Sequence, residues 1–174
     1  MSEKMAAIFG TGKVRPGDEA YELAYRTGKA LAQAGFTIVN GGYNGTMIAA
    51  AKGAREAGGE IVGVTCRAFK KTKANEYTTR QITAESLDER LDTLIELGRA
   101  YVVLPGGTGT LLELAKVWEL KNKGFLNGGK PIILVGDFWK ALVECVAGED
   151  ADCVRYVEFA AGPDEVVEIL AGRV

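Results

Sequence analysis

The chain has 174 residues, 47% of them hydrophobic and 25% charged, an ordinary composition for one globular domain able to bury a core. Its 21 basic and 23 acidic residues leave a formal net charge of −2, so the molecule as a whole has no pull toward nucleic acid or an anionic membrane, and any anion site must be local. With no histidine in the sequence, Ser/His and Cys/His triads are excluded and the commonest zinc ligand is missing.

The first residues, Met1-Ser2-Glu3-Lys4-Met5, lack the apolar core of a secretory signal, and no later run reaches the length of a bilayer span, so a cytoplasmic location is expected. Residues 5–9 form a short apolar run that predicts a strand, followed by Gly10-Thr11-Gly12. After a polar loop through Pro16-Gly17, a helix is expected with Ala20, Leu23, Ala24, Thr27 and Leu31 on one face. The unit then repeats as a strand at 36–39, the glycine loop Gly41-Gly42-Tyr43-Asn44-Gly45-Thr46, a small-residue helix over 47–57 and a third strand at 61–64. Short apolar strands alternating with longer helices predict parallel βαβ units, and hence an α/β fold with a mostly parallel sheet and helices on both faces.

Residues 67–80 break the rhythm. Arg67, Lys70, Lys71, Lys73 and Arg80 face only Glu76, with no apolar period, so this is a loop. It reads either as a solvated connection or as a basic lid over an anionic ligand. A short strand near 81–83 precedes Ser86-Leu87-Asp88-Glu89, which has the form of a capping box. The helix it opens is expected to place Leu87, Leu91, Leu94 and Ile95 on the core face, with Arg90 on the flank.

A fifth strand at 100–104 runs into Pro105-Gly106-Gly107-Thr108-Gly109-Thr110-Leu111-Leu112-Glu113. A strand end, a glycine turn and a helix start are compressed here, and the first amides of a helix present free N–H groups to an anion such as a phosphate. Thr110-Leu111-Leu112-Glu113 also has the form of a capping box, so Glu113 reads equally as a cap or as a functional acid. Beyond it come a glycine-rich connection over 121–130, a strand at 131–135, a helix over 138–146, a last edge strand within 154–159 and a closing helix begun by Pro163. With no linker composition along the way, residues 1–174 read as a single domain.

Three glycine loops each follow a predicted strand, and open α/β sheets bind ligands at that carboxyl edge. NAD is disfavoured, because Arg15 stands where a dinucleotide fingerprint wants its third glycine and the second strand ends in Val39-Asn40 without an acid. The GxxxxGK spacing from Gly124 to Lys130 is followed by Pro131 and precedes a strand, so it is no Walker loop. Cys66, Cys145 and Cys153 form no CxxC pair and read as reduced thiols, and neither a metal nor a cofactor is expected.

The Pro-Gly-Gly-x-Gly-Thr-x-x-Glu motif ending at Glu113, with Arg90 fifteen positions before Pro105, resembles the LOG family of cytokinin riboside 5′-monophosphate phosphoribohydrolases, many of which carry an older lysine decarboxylase label. Phe9-Gly10-Thr11-Gly12, Tyr21 and the second glycine loop also occupy places similar to the family's. The resemblance implies a Rossmann-like, doubly wound homodimer without cofactor that hydrolyses the N-glycosidic bond of a nucleoside 5′-monophosphate such as AMP. It implies that Glu113 and Arg90 form the catalytic pair. Gly106, Gly107, Thr108, Gly109 and Thr110 would hold the phosphate, with Gly10, Thr11, Gly12, Gly41, Gly42, Asn44, Gly45 and Thr46 completing the ligand site. Two departures stand out. The family's Met-His-x-Arg-Lys reads Leu87-Asp88-Glu89-Arg90-Leu91, losing the His and the Lys, and its Ile-Pro after the third strand reads Val64-Thr65. Such changes resemble divergent members that carry the molybdenum cofactor, so non-catalytic binding of a phosphorylated ligand is the alternative expectation.

Overall fold

The computed structural model describes residues 4–126 and 129–173. Met1–Glu3 of the opening segment and Asn127 and Gly128 of the 121–130 connection lie outside the described residues. Seven strands are formed: β1 (Met5–Phe9), β2 (Thr37–Asn40), β3 (Ile61–Cys66), β4 (Arg80–Ala84), β5 (Ala100–Val103), β6 (Ile132–Val135) and β7 (Glu158–Ala160). They make one sheet in the order β4-β3-β2-β1-β5-β6-β7, and every neighbouring pair is parallel. Among the described residues six α-helices connect or follow them: α1 (Glu19–Gln33), α2 (Thr46–Glu56), α3 (Leu87–Leu97), α4 (Thr108–Asn122), α5 (Lys140–Ala147) and α6 (Pro163–Leu170).

The helices cover both faces, which is why the inner strands read as unbroken apolar runs. In β1 every residue is buried, and its side chains alternate between two cores. Ala6 and Ile8 join the core under α1, α2 and α6, whereas Met5, Ala7 and Phe9 join the core under α3, α4 and α5. Among the described residues no helix is long and apolar enough to cross a membrane.

The chain winds from β1 outward to β4 and then crosses back to β5 on the other side of β1, so the strand order reverses between β1 and β5. Phe9 pairs with Val103 at the carboxyl ends of these two strands, and the Leu104 N–H donates to the Phe9 carbonyl at 2.9 Å. The loops that leave them go to opposite faces, toward α1 and α4, and the crevice between them is the ligand position of open α/β sheets.

Several local expectations shift. Arg90 is buried at 7% exposure while Leu87 is 40% exposed, so the guanidinium and not the leucine takes the inward position on α3. On α1 the buried positions are Tyr21, Ala24, Thr27, Gly28 and Leu31, with Ala20 and Leu23 half-buried. Ser86 caps α3 by accepting from the Glu89 N–H at 3.2 Å, but the Glu89 carboxylate reaches past Ser86 to the Glu85 N–H at 2.9 Å, so only half of the box closes. The expected edge strand at 154–159 shortens to three residues, because 151–156 coils into a 3₁₀ helix whose Cys153 carbonyl accepts from the Trp118 indole at 2.9 Å. The fifth helix begins two residues late, since Trp139 turns inward and its indole donates to the Leu104 carbonyl at 3.1 Å.

Candidate functional site

Helix α4 begins at Thr108 with Gly107 as its N-cap, and no side chain caps it. The first intrahelical bond is Leu111 N–H to the Gly107 carbonyl at 2.9 Å, so the amides of Gly107, Thr108, Gly109 and Thr110 have no acceptor within the helix. Four free donors and the positive end of the helix dipole therefore face the crevice between β1 and β5. This start also removes the cap reading of Glu113. Thr110 lies inside the helix, two positions past its first residue, with its side chain buried against Gly106, and Glu113 is carried into the second turn.

The crevice is a cavity of about 540 Å³. One end is built from Gly10, Thr11 and Gly12 after β1 and from Gly107, Thr108, Gly109 and Thr110 at the start of α4. Glu113 and Arg90 line it too, with Tyr43, Met47, Phe69, Leu87 and Leu112 completing the wall. Both residues expected to do chemistry are thus gathered with the expected phosphate loop and the first glycine loop, from three segments far apart in the chain.

Arg90 is held on all sides. Its Nε donates to the Val64 carbonyl at the end of β3 at 2.7 Å, and its Nη2 donates to the Gly41 carbonyl after β2 at 3.2 Å. Its guanidinium carbon stands 5.5 Å from the centre of the Tyr43 ring and 5.6 Å from that of Phe69, within cation–π range of both. Glu113 is half-buried, and among the described residues none donates a hydrogen bond to its carboxylate. Desolvation pushes its carboxyl up to about 7, with the charge of Arg90 pulling the other way. An acid so tuned is close to half ionised near neutral pH and can exchange a proton in either direction.

The second glycine loop does not line this cavity as a whole. Gly41 gives Arg90 its space, and Gly42, with its amide bonded to Asn40 Oδ1 at 2.8 Å, forms the turn behind it. Gly45, at φ +65°, packs on Thr11 and Gly12 with no room for a Cβ. Thr46 donates both its N–H (2.9 Å) and its hydroxyl (3.0 Å) to the Thr11 carbonyl. Gly106 lies under the α4 start, and Asn44 stands outside the main cavity in an adjoining one. Gly41, Gly42, Gly45, Thr46 and Gly106 thus position the first loop, the α4 start and Arg90, and do not line the main cavity.

The basic loop at 67–80 is exposed over 67–73 and anchored around Asn75. Asn75, 7% exposed, donates through Nδ2 to the carbonyls of Gly42 and Tyr43 at 3.1 and 3.0 Å, and the Gln81 amide holds Thr72 and Ala74. Phe69 is thereby set over Arg90. Tyr43, Met47, Phe69 and Lys13 all line the cavity and were not among the expected site residues. The signal for the two rings was an aromatic inside a glycine loop and another inside an otherwise basic stretch.

A family model described as the SLOG cluster4 family matches residues 3–162. The chain is 33% identical over 129 residues to an uncharacterised protein of Archaeoglobus fulgidus, covering 74% of this chain and 82% of that one. It is 36% identical over 124 residues to a cytokinin riboside 5′-monophosphate phosphoribohydrolase of Mycobacterium tuberculosis, covering 70% of this chain and 64% of the mycobacterial one. Among solved structures, the molybdenum cofactor binding protein of Rippkaea orientalis is similar with a TM-score of 0.80 and 24% identity, covering 98% of this chain and 97% of that one, a likeness of fold.

Proposed function

The chain belongs to the SLOG cluster4 family, and from that premise we propose that it hydrolyses the N-glycosidic bond of a nucleoside 5′-monophosphate such as AMP, releasing the free base and ribose 5-phosphate. The observation that carries this reading is the placement of Glu113, an acid with its carboxyl raised to about 7, in one cavity with the uncapped start of α4. The amides of Gly107, Thr108, Gly109 and Thr110 bind the 5′-phosphate, which sets the ribose against Glu113. As the bond from C1′ to the base nitrogen breaks, positive charge grows on the sugar, and the carboxylate stabilises it. Water adds to C1′ through its oxygen and gives one proton to Glu113, and that proton passes on to the departing base nitrogen, so the carboxylate is regenerated and hydrolysis balances without a further reactant.

Arg90 supports this by position. Two of its five N–H donors are spent on the Val64 and Gly41 carbonyls, which fixes the guanidinium where its charge keeps Glu113 from rising further. The second reading, a phosphorylated ligand bound and not cut, is favoured by Leu91, which is buried beside Arg90 on the cavity wall where the LOG pattern has a lysine. Incubation with AMP and with a cytokinin riboside monophosphate, followed by detection of free base and ribose 5-phosphate, separates the two. Release of base that is abolished in Glu113→Gln is the expected result. Tight binding of an intact ligand with no base released from either substrate rejects the hydrolase.

A further inference from the structure

Beside the main cavity lies a second compartment of about 310 Å³, bounded by Gly12, Tyr43, Asn44, Met47, Phe69 and Lys71. Four of these residues, Gly12, Tyr43, Met47 and Phe69, line both spaces, so the two adjoin. We infer that this side compartment is the subsite for the planar nitrogen heterocycle of the ligand, and that Tyr43 and Phe69 are the residues that select for it. The assignment rests on the reading that the start of α4 holds the phosphate, and it adds what the other end of the ligand must be.

The chemistry of the compartment differs from that of the phosphate end. The rings of Tyr43 and Phe69 lie 5.8 Å apart and tilted by 40°, and both stand over the same guanidinium. Tyr43 is further pinned by its hydroxyl, which accepts from the Cys66 N–H at 2.8 Å. These rings are preorganised, yet Phe69 keeps 38% of its surface exposed on a loop otherwise rich in lysine. Its aromatic face is left for a flat partner, and Met47 adds a polarisable sulfur to the same wall. At the rim Lys71 Nζ donates to Asn44 Oδ1 at 3.2 Å, which places ammonium and amide N–H donors where ring nitrogens or an exocyclic oxygen would accept them. A bare sugar phosphate uses none of this. A nucleotide or another phosphorylated heterocycle uses both ends.

The test compares AMP with ribose 5-phosphate by calorimetric titration of the Glu113→Gln protein, which binds without turnover. AMP is expected to bind at least tenfold more tightly. Phe69→Ala, and Phe69→Leu as a variant that keeps bulk without an aromatic face, are each expected to weaken AMP by about tenfold, in the range of one lost base–aromatic stack, and to leave ribose 5-phosphate within twofold. Equal affinity for the two ligands, or an equal loss of both in the Phe69 variants, overturns the subsite alone. Binding of neither ligand overturns the subsite together with the phosphate reading beneath it.

Discussion

The guanidinium of Arg90 occupies the volume that a side chain on Gly41 would need: a Cβ built there overlaps Nη2, the same atom that donates to the Gly41 carbonyl at 3.2 Å. Gly41 has no positive φ, so its glycine is explained by this approach and not by backbone conformation. Gly41→Ala is therefore expected to destabilise the fold by about 1–3 kcal/mol through overpacking. In an Arg90→Ala background the same change should add less, since the tightest overlap is gone and the one left is with the Met47 sulfur at 2.6 Å, on a flexible side chain. Denaturant midpoints of the two single variants and the double variant measure that coupling, and additive losses would show that Gly41 and Arg90 do not share the space as described.

Glu113 should make stability depend on pH in an unusual direction. Its carboxyl is raised from 4.5 to about 7 in the folded protein. Between those values the unfolded chain has released the proton and the folded one still holds it, so the wild type should lose stability relative to Glu113→Gln as pH rises from 4.5 toward 7, and level off above. Urea titrations of both proteins at intervals from pH 4 to 8 give the difference directly. If the ionised form of Glu113 works on substrate, kcat/KM for AMP should rise over the same window with an apparent midpoint near 7.

The phosphate end is testable without disturbing the fold. A Cβ on Gly107 meets nothing within 4 Å, and the backbone there is extended, so an aspartate fits. As N-cap of α4 it should hold or slightly raise stability, by about 0.3–1 kcal/mol. It should also set a carboxylate where the ligand phosphate belongs. Gly107→Asp is expected to lower AMP affinity at least tenfold and to leave adenosine unaffected, as read by equilibrium dialysis of the two ligands.

Asn75 ties the 67–80 loop to the second glycine loop through the Gly42 and Tyr43 carbonyls. In Asn75→Ala the Gly42 carbonyl keeps the backbone N–H of residue 75 at 2.7 Å, but the Tyr43 carbonyl loses its donor and the Tyr77 N–H its acceptor, which should cost about 1–3 kcal/mol. Hydrogen exchange is expected to quicken over 67–80 and at Tyr43, with little change at α4. Weaker AMP binding should accompany it, because Phe69 and Lys71 ride on the loop.

Strand and helix placement was legible because each inner strand is a short apolar run and each helix has its own face. The two-sided burial of β1 needs every residue of 5–9 to be apolar, and they are. Legibility failed where a distant partner decided the outcome. Leu87 and Arg90 offer the α3 pattern two candidates for the inward position, and hydrophobicity favours the leucine. The folded chain favours the arginine, because the carbonyls of Val64 and Gly41 meet its N–H groups there. In the same way the 154–159 run keeps only Glu158 and Phe159 in the strand, beside a 3₁₀ helix whose Cys153 carbonyl is bonded by Trp118, thirty-five residues away.

By itself the sequence determined the α/β class, the parallel alternation of strands and helices, and a glycine turn between the fifth strand and the helix after it, since these depend on local pattern and on the backbone freedom of a few residues. Only the tertiary structure decided which glycine loops line the crevice and which stand behind it, because that turns on the strand order. The reversal between β1 and β5 opens the crevice to Gly10 and Gly107 and puts Gly41 and Gly45 behind its wall. It also brought Tyr43 and Phe69 together over Arg90, a contact among three segments that no local pattern encodes.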